Sequence, residues 1–407
     1  MTKPRKTPAG VEARHRRRHD GTTYTRYRVR WTDPLTGERK SEEFDTPDEA
    51  ADFKAHLRLL RRRGVLHELD AGRDLLADFF AQWWTDYAAT NLSRSTLLTY
   101  QSIWNRHLLG RLGHLQLREL TPPILVQLRN DLERDHVGAP TIRKGMAMIQ
   151  GVLARAVEWG KLPANPAPSV RKPRAVRQLA IVVPTIGQVE AIRALMPTPE
   201  DAALISVLAY SGPRPQDALG LQYRHVGRTV LLYEQKAVHG QVLPGNKTGR
   251  PPRTVELLTH LRGDLLAHRM AQGNPPPAAL LFTRNGRPWA DHDWRNWRRR
   301  VFQPAADTVL GRPTAAQAKT DPKLAVKRSA MPATRPYDLR HLYASLRIAE
   351  QRMSLLEIAE ELGHSVATLS RDYAHVIADL KGQPPVDPDT LIQAARTGLE
   401  HGREATA

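Results

Sequence analysis

Not one of the 407 residues is cysteine. That excludes disulfides, cysteine-ligated zinc and cysteine-held iron–sulfur clusters, and it fits a reducing compartment. No apolar run reaches the roughly 18 residues that span a bilayer, and the basic start lacks an apolar h-region. Neither a membrane span nor a signal peptide is expected, which points to a cytoplasmic protein. Acidic residues are also short in number: 42 Asp and Glu face 61 Lys and Arg, a net charge of +19 with a pI near 10.4. Such an excess predicts a polyanionic partner, nucleic acid first, because neutralised phosphates release their counterions. The length allows two or three domains.

Residues 1–20 are polar and basic and are expected to be a disordered arm. Next, Arg26, Arg28 and Arg30 alternate with Tyr27, Val29 and Trp31, so a strand here puts three arginines on one face and the apolar set on the other. A turn at Asp33-Pro34 and a second strand over 39–44 follow. Thr46, Pro47 and Glu49 then carry the signature of a capped helix. Residues 21–65 thus read as a small α+β sheet unit. Residues 70–170 read as an all-α domain, with aromatic and aliphatic stripes at helical spacing that belong to a core. Its fourth helix opens at Pro140-Thr141 and places Arg143 and Lys144 near a helix N-terminus, where phosphate contacts are favourable.

Four prolines in 163–173, interleaved with or followed by Arg171, Lys172 and Arg174, predict an extended basic linker. Residues 178–385 read as a mainly α domain with a small β-sheet, containing strands near 229–234, 238–243 and 253–257 and a surface loop over 311–336. A C-terminal tail occupies 386–407. The fold class is therefore multidomain, with sheet unit, helical domain and mainly α domain in that order.

The chemistry gathers in this last domain. An apolar helix breaks at Ser211-Gly212-Pro213, and Arg214 follows the break with Asp217 three residues on. Lys247 sits in a polar stretch, Gly245-Asn246-Lys247-Thr248-Gly249-Arg250, that predicts a hairpin tip from which an ammonium could act as a general acid. The run Tyr337-Asp338-Leu339-Arg340-His341 supplies a second arginine. Ser354 and Glu357 cap a helix that stops at Gly363, which leaves His364 just past its end, and Tyr373 lies nine residues beyond His364. Two arginines to neutralise a phosphate, a histidine to donate to a non-bridging oxygen and a tyrosine to attack phosphorus make a phosphodiester-cleaving set.

That combination resembles the tyrosine recombinases of the phage integrase type. Arg214 with Asp217 matches the first arginine box, Lys247-Thr248 the hairpin lysine, Arg340-His341 the second arginine, Leu362-Gly363-His364-Ser365 the histidine box, and Tyr373 the nucleophile. Tyr337 departs from the pattern, standing where a histidine is usual; a phenol, with an ordinary pKa of about 10, is a poor base at neutral pH. The resemblance implies a site-specific recombinase that cuts and rejoins DNA through a 3′-phosphotyrosine, with catalytic residues Arg214, Lys247, Tyr337, Arg340, His364 and Tyr373, no metal and no cofactor. It further implies an arm-type DNA-binding domain over 21–65, a core-site-binding domain over 70–170 and a catalytic domain over 178–385. Arg26, Arg28, Arg30, Arg143 and Lys144 become candidate DNA contacts. The expected partners are double-stranded DNA at attachment sites, a homotetramer on that DNA, a neighbouring subunit on which the tail docks, and accessory excision or DNA-bending proteins, in a nucleoid-associated setting. The competing reading is a non-catalytic DNA-binding regulator derived from a recombinase.

Overall fold

A computed structural model describes residues 7–34, 37–64, 66, 69, 71–174, 183–245, 252–379 and 382–404. They fall into two units, Met1–Arg177 and Gln178–Ala407.

In the first unit, strands β1 (Glu12–Arg17), β2 (Thr23–Thr32) and β3 (Arg39–Phe44) form an antiparallel sheet in the order β1-β2-β3. The pairing puts Arg14 opposite Arg26, and Arg28 opposite Glu12 on one side and Glu43 on the other. Arg14, Arg16, Arg26, Arg28 and Arg30 therefore share one face, as strand alternation requires. Salt bridges tie Arg26 to Asp45 at 2.9 Å and Arg30 to Glu12 at 3.0 Å. The segment expected to be a disordered arm is in part structured: its arginines alternate, and pairing with β2 satisfies the backbone of 12–17. The opposite face rests on helix α1 (Pro47–Arg62), capped as expected by Thr46 and Glu49. Val29, Trp31, Ala50 and Leu57 are buried there, and Phe53 meets Trp31 edge-on at 5.4 Å.

The helical part begins with α2 (Leu76–Trp83) and α3 (Arg94–Ile103), each running on into a π-helical turn, and continues with α4 (Pro122–Arg134) and α5 (Ala139–Glu158). Phe80 stacks on Trp104 at 3.8 Å, and α5 contributes Ile142, Met146, Ile149 and Leu153 to the same core. Each fully buried side chain of this kind stabilises the fold by about 1.5–3 kcal/mol. The proline-rich segment is not a free linker along its whole length. Ala167 and Val170 are buried against this core, and Asn165 donates to the Gln150 carbonyl at 2.9 Å. Arg143 and Lys144 are exposed near the start of α5, where Arg143 donates to the Pro173 carbonyl at 2.8 Å.

The second unit packs α6 (Ile186–Ala194), α7 (Pro199–Tyr210), α8 (Pro215–Leu219) and α9 (Thr259–Ala271) with two small sheets. Strand β4 (Val230–Tyr233) pairs with β7 (Arg253–Glu256), and β5 (Gln235–Val238) with β6 (Gln241–Pro244). The strand expected over 238–243 is present as β6 from Gln241, but a bend at His239 and Gly240 separates it from Val238, the last residue of β5. His239 and Gly240 take φ +53° and +75°, a two-residue turn that reverses the chain. The loop expected over 311–336 holds two helices beyond α10 (Asp291–Trp297) and α11 (Gln303–Val309). These are α12 (Ala315–Thr320), capped by Thr314, and α13 (Pro322–Ala330), capped by Asp321. Arg312 and Arg328 anchor them on the buried Asp307.

Helices α14 (Leu339–Glu350), α15 (Leu355–Leu362) and α16 (Val366–Asp379) complete the framework of the site. The tail is largely a helix, α17 (Pro388–Glu404), and it docks on its own unit. Asp389 accepts from the backbone of Thr259 and His260, Ile392 is fully buried, and Arg396 pairs with Glu190 and Asp264. Among the described residues no helix is long and apolar enough to cross a membrane.

Candidate active site

The corner at Gly212 is the first thing the site needs. Gly212 has φ +57°, and a Cβ there would lie 2.3 Å from Tyr343 Cδ1, so only glycine fits between α7 and α14. Its carbonyl is left facing the buried Arg340, which donates to it through Nη1. The same guanidinium donates through Nη2 to the Leu362 carbonyl and, at 3.1 Å, to His364 Nε2. Arg214, next along from the corner, donates to the Gly363 carbonyl at 3.2 Å. Gly363 itself ends α15 with φ +62°. Two arginines from distant segments thus converge on the backbone of 362–364.

Electrostatics set the state of these groups. Asp217 is buried and accepts from Arg253 at 2.9 Å, with Arg214 3.9 Å away. Arg253 also donates to the Glu361 carbonyl at 2.6 Å and lies over the Tyr233 ring. Burial, and then the charge of Arg340 and Arg214, lowers His364 to about 4, so its imidazole is neutral at pH 7. An arginine can only donate, so Nε2 of His364 accepts and its proton sits on Nδ1. Among the described residues, that Nδ1 and Arg340 Nε are buried without a hydrogen-bond partner. Burial is also the largest influence on Arg340, which it draws down, with Arg253 acting in the same direction.

Tyr373 lies on α16, only 2% exposed, with its hydroxyl 2.7 Å from His341 Nδ1. Burial pushes its phenol up well beyond the ordinary value and draws the His341 imidazole down. Tyr337, in the turn before α14, is 36% exposed and meets His341 ring edge to ring face, with centroids 6.1 Å apart. A cavity of about 280 Å³ opens beside Arg214 and Tyr337, walled by Trp289 and Trp294.

Of the six residues singled out in this unit, Arg214, Arg340 and His364 are joined by these bonds. Tyr373 and Tyr337 meet on His341, and Lys247 lies outside the described residues. Arg26, Arg28, Arg30, Arg143 and Lys144 belong to the first unit. Sequence reasoning assigned no task to His341 or Arg253. Arg253 was detectable: it alternates with Val255 on the inward face of β7, an unusual place for a charge without a partner.

The sequence family described as phage integrase, N-terminal SAM-like domain matches residues 75–132. The structure of the Tn1549 transposon integrase in complex with transposon right end DNA matches with a TM-score of 0.58 over 76% of this chain and 97% of that one, at 15% identity. A lambda integrase dimer bound to a core site matches with a TM-score of 0.53 over 95% of this chain and 99% of that one, at 16% identity. The chain has the tyrosine recombinase fold. A lambda integrase tetramer on a Holliday junction also matches, with a TM-score of 0.52 over 90% of this chain, at 14% identity. No curated protein matches by sequence. Within the recombinase fold, the arginine and histidine boxes read from the sequence are the segments that meet around residues 362–364.

Proposed function

We propose that the protein is a site-specific DNA recombinase of the integrase type, which cuts and rejoins DNA through a 3′-phosphotyrosine and so inserts and excises a mobile element. The convergence of Arg214, Arg340 and His364, with Tyr373 on the next helix, carries this reading. Tyr373 attacks the phosphodiester. Arg214, Arg340 and His364 hold the non-bridging oxygens and stabilise the charge of the pentavalent transition state, in a pocket where burial strengthens each contact. Lys247 gives a proton to the leaving 5′ oxygen. Tyr337 borders the phosphate site and hydrogen-bonds phosphate. Bond energy is kept in the ester, and a 5′ hydroxyl of a partner strand reverses the step.

The catalytic domain spans 178–385, the core-site domain 70–170 and the arm-site domain 21–65. Arg26, Arg28 and Arg30 contact arm DNA from the open face of the sheet, and Arg143 and Lys144 contact core-site phosphates. The protein acts as a homotetramer on its attachment sites, a reading supported by the lambda integrase tetramer on a Holliday junction. Accessory excision or DNA-bending proteins assist it, and it works at the nucleoid in the cytoplasm. Covalent capture tests this. Wild type and Tyr373→Phe are expressed beside native genomic DNA, denatured, and the protein-linked fragments are sequenced. Fragments found only with wild type and sharing one junction are expected. No enrichment with either, while both still shift DNA, would favour a non-catalytic regulator.

A further inference from the structure

We infer that His341 is the base that takes the phenolic proton of Tyr373. This rests on the reading of the protein as a DNA-cleaving enzyme with a tyrosine nucleophile, and it assigns a residue to a task that Tyr337 is chemically unsuited to perform.

The geometry carries the inference. Tyr373 Oη and His341 Nδ1 are 2.7 Å apart, with the two residues 2% and 9% exposed, so bulk water does not compete for this proton. His341 sits in the first turn of α14 beside Arg340, so one short segment places a phosphate-neutralising guanidinium and a proton acceptor together. Tyr337 packs on the same imidazole through its ring. A phenol is a far stronger acid than the N–H of a neutral imidazole, so the hydroxyl donates and Nδ1 accepts. The groups that act on this imidazole are opposed: Asp338 and Asp372 favour its charge, while Arg335 and Arg340 disfavour it. Burial outweighs them all and keeps it neutral and able to accept. His364, on the neighbouring segment, is the other imidazole that feels its charge.

The step balances. The O–H bond of Tyr373 breaks, the proton moves to His341 Nδ1, and the freed electron pair forms the bond to phosphorus. The bond from phosphorus to the 5′ oxygen breaks, and that oxygen takes a proton from a separate acid, for which Lys247 is the candidate. On rejoining, the imidazolium returns its proton to the departing Tyr373 oxygen.

The test uses duplex oligonucleotides bearing the junction recovered by covalent capture. One series has an ordinary phosphodiester at the cleaved position and the other a 5′-bridging phosphorothiolate. Sulfur leaves without help from an acid, so this substrate hides the loss of the acid but not the loss of the base. His341→Gln and His341→Ala are expected to slow cleavage about 100-fold or more on both substrates. Both should still shift DNA, and their rates should rise about tenfold per pH unit as hydroxide replaces the base. Added imidazole should restore part of the His341→Ala rate.

Near-wild-type cleavage overturns the inference. So does a loss confined to the oxygen substrate, which would place His341 at the leaving group. A slow variant with neither the pH response nor imidazole rescue would make His341 a positioning residue only, and also overturns it. Should both variants lose DNA binding, His341→Asn decides, since its amide oxygen can keep the hydrogen bond of Tyr373 but takes no proton. Slowing of about 100-fold on both substrates is expected, and near-wild-type cleavage overturns the assignment. Wild type that forms no covalent complex on any DNA defeats the functional reading itself, an outcome distinct from active His341 variants.

Discussion

Arg340 donates from Nη2 to Nε2 of His364 across 3.1 Å, so the cation and the imidazole share an edge. The arrangement holds His364 neutral with its proton on Nδ1.

The first prediction concerns pH. His364, drawn down to about 4, and His341, also lowered, bind fewer protons folded than unfolded. Their contribution to stability is therefore complete above the ordinary histidine pKa of about 6.5 and is lost as pH falls towards about 4. Urea midpoints measured at steps between these limits should fall for wild type and fall less for His364→Gln. Parallel curves would show that His364 is not held in this state.

Arg253 and Asp217 form a buried pair 2.9 Å apart. Arg253→Ala leaves a carboxylate uncompensated and should cost about 3–5 kcal/mol, read as a lowered denaturation midpoint. Arg253→Met with Asp217→Asn should recover much of that loss, since neither member is then a stranded charge. A double variant as unstable as the single one would contradict the pairing.

Gly212→Ala meets both a left-handed backbone and the Tyr343 ring. It should lose about 2–4 kcal/mol by strain and overpacking. Because the Gly212 carbonyl holds Arg340, covalent capture should also weaken under conditions where the variant remains folded. Wild-type stability in thermal unfolding would refute the steric account.

The open sheet face gives a prediction for DNA. Replacing Arg26, Arg28 and Arg30 together by alanine should weaken binding across sequences and reduce the log–log salt slope by up to about 3. Capture at the core junction should survive. An unchanged slope would assign the face to its intramolecular ion pairs alone.

Local rules were legible in the sequence wherever neighbours along the chain decide the outcome. The Thr46 and Ser354 caps, the stop at Gly363, the alternation of β2 and the stripe on α5 follow from the steric and hydrogen-bonding needs of a few adjacent residues. The spacing of Arg214, Arg340, His364 and Tyr373 was likewise readable. Only the tertiary structure decided the rest. The 12–17 strand exists because β2 offers it a partner, and the helices within 311–336 are anchored by Asp307, on a different helix. The tail joins its own unit because Glu190 and Asp264 are buried acids that Arg396 neutralises. His341 became the partner of Tyr373, and Arg253 that of Asp217, through contacts spanning 32 and 36 residues. Such pairs depend on how helices and strands pack, and spacing along the chain carries no record of that.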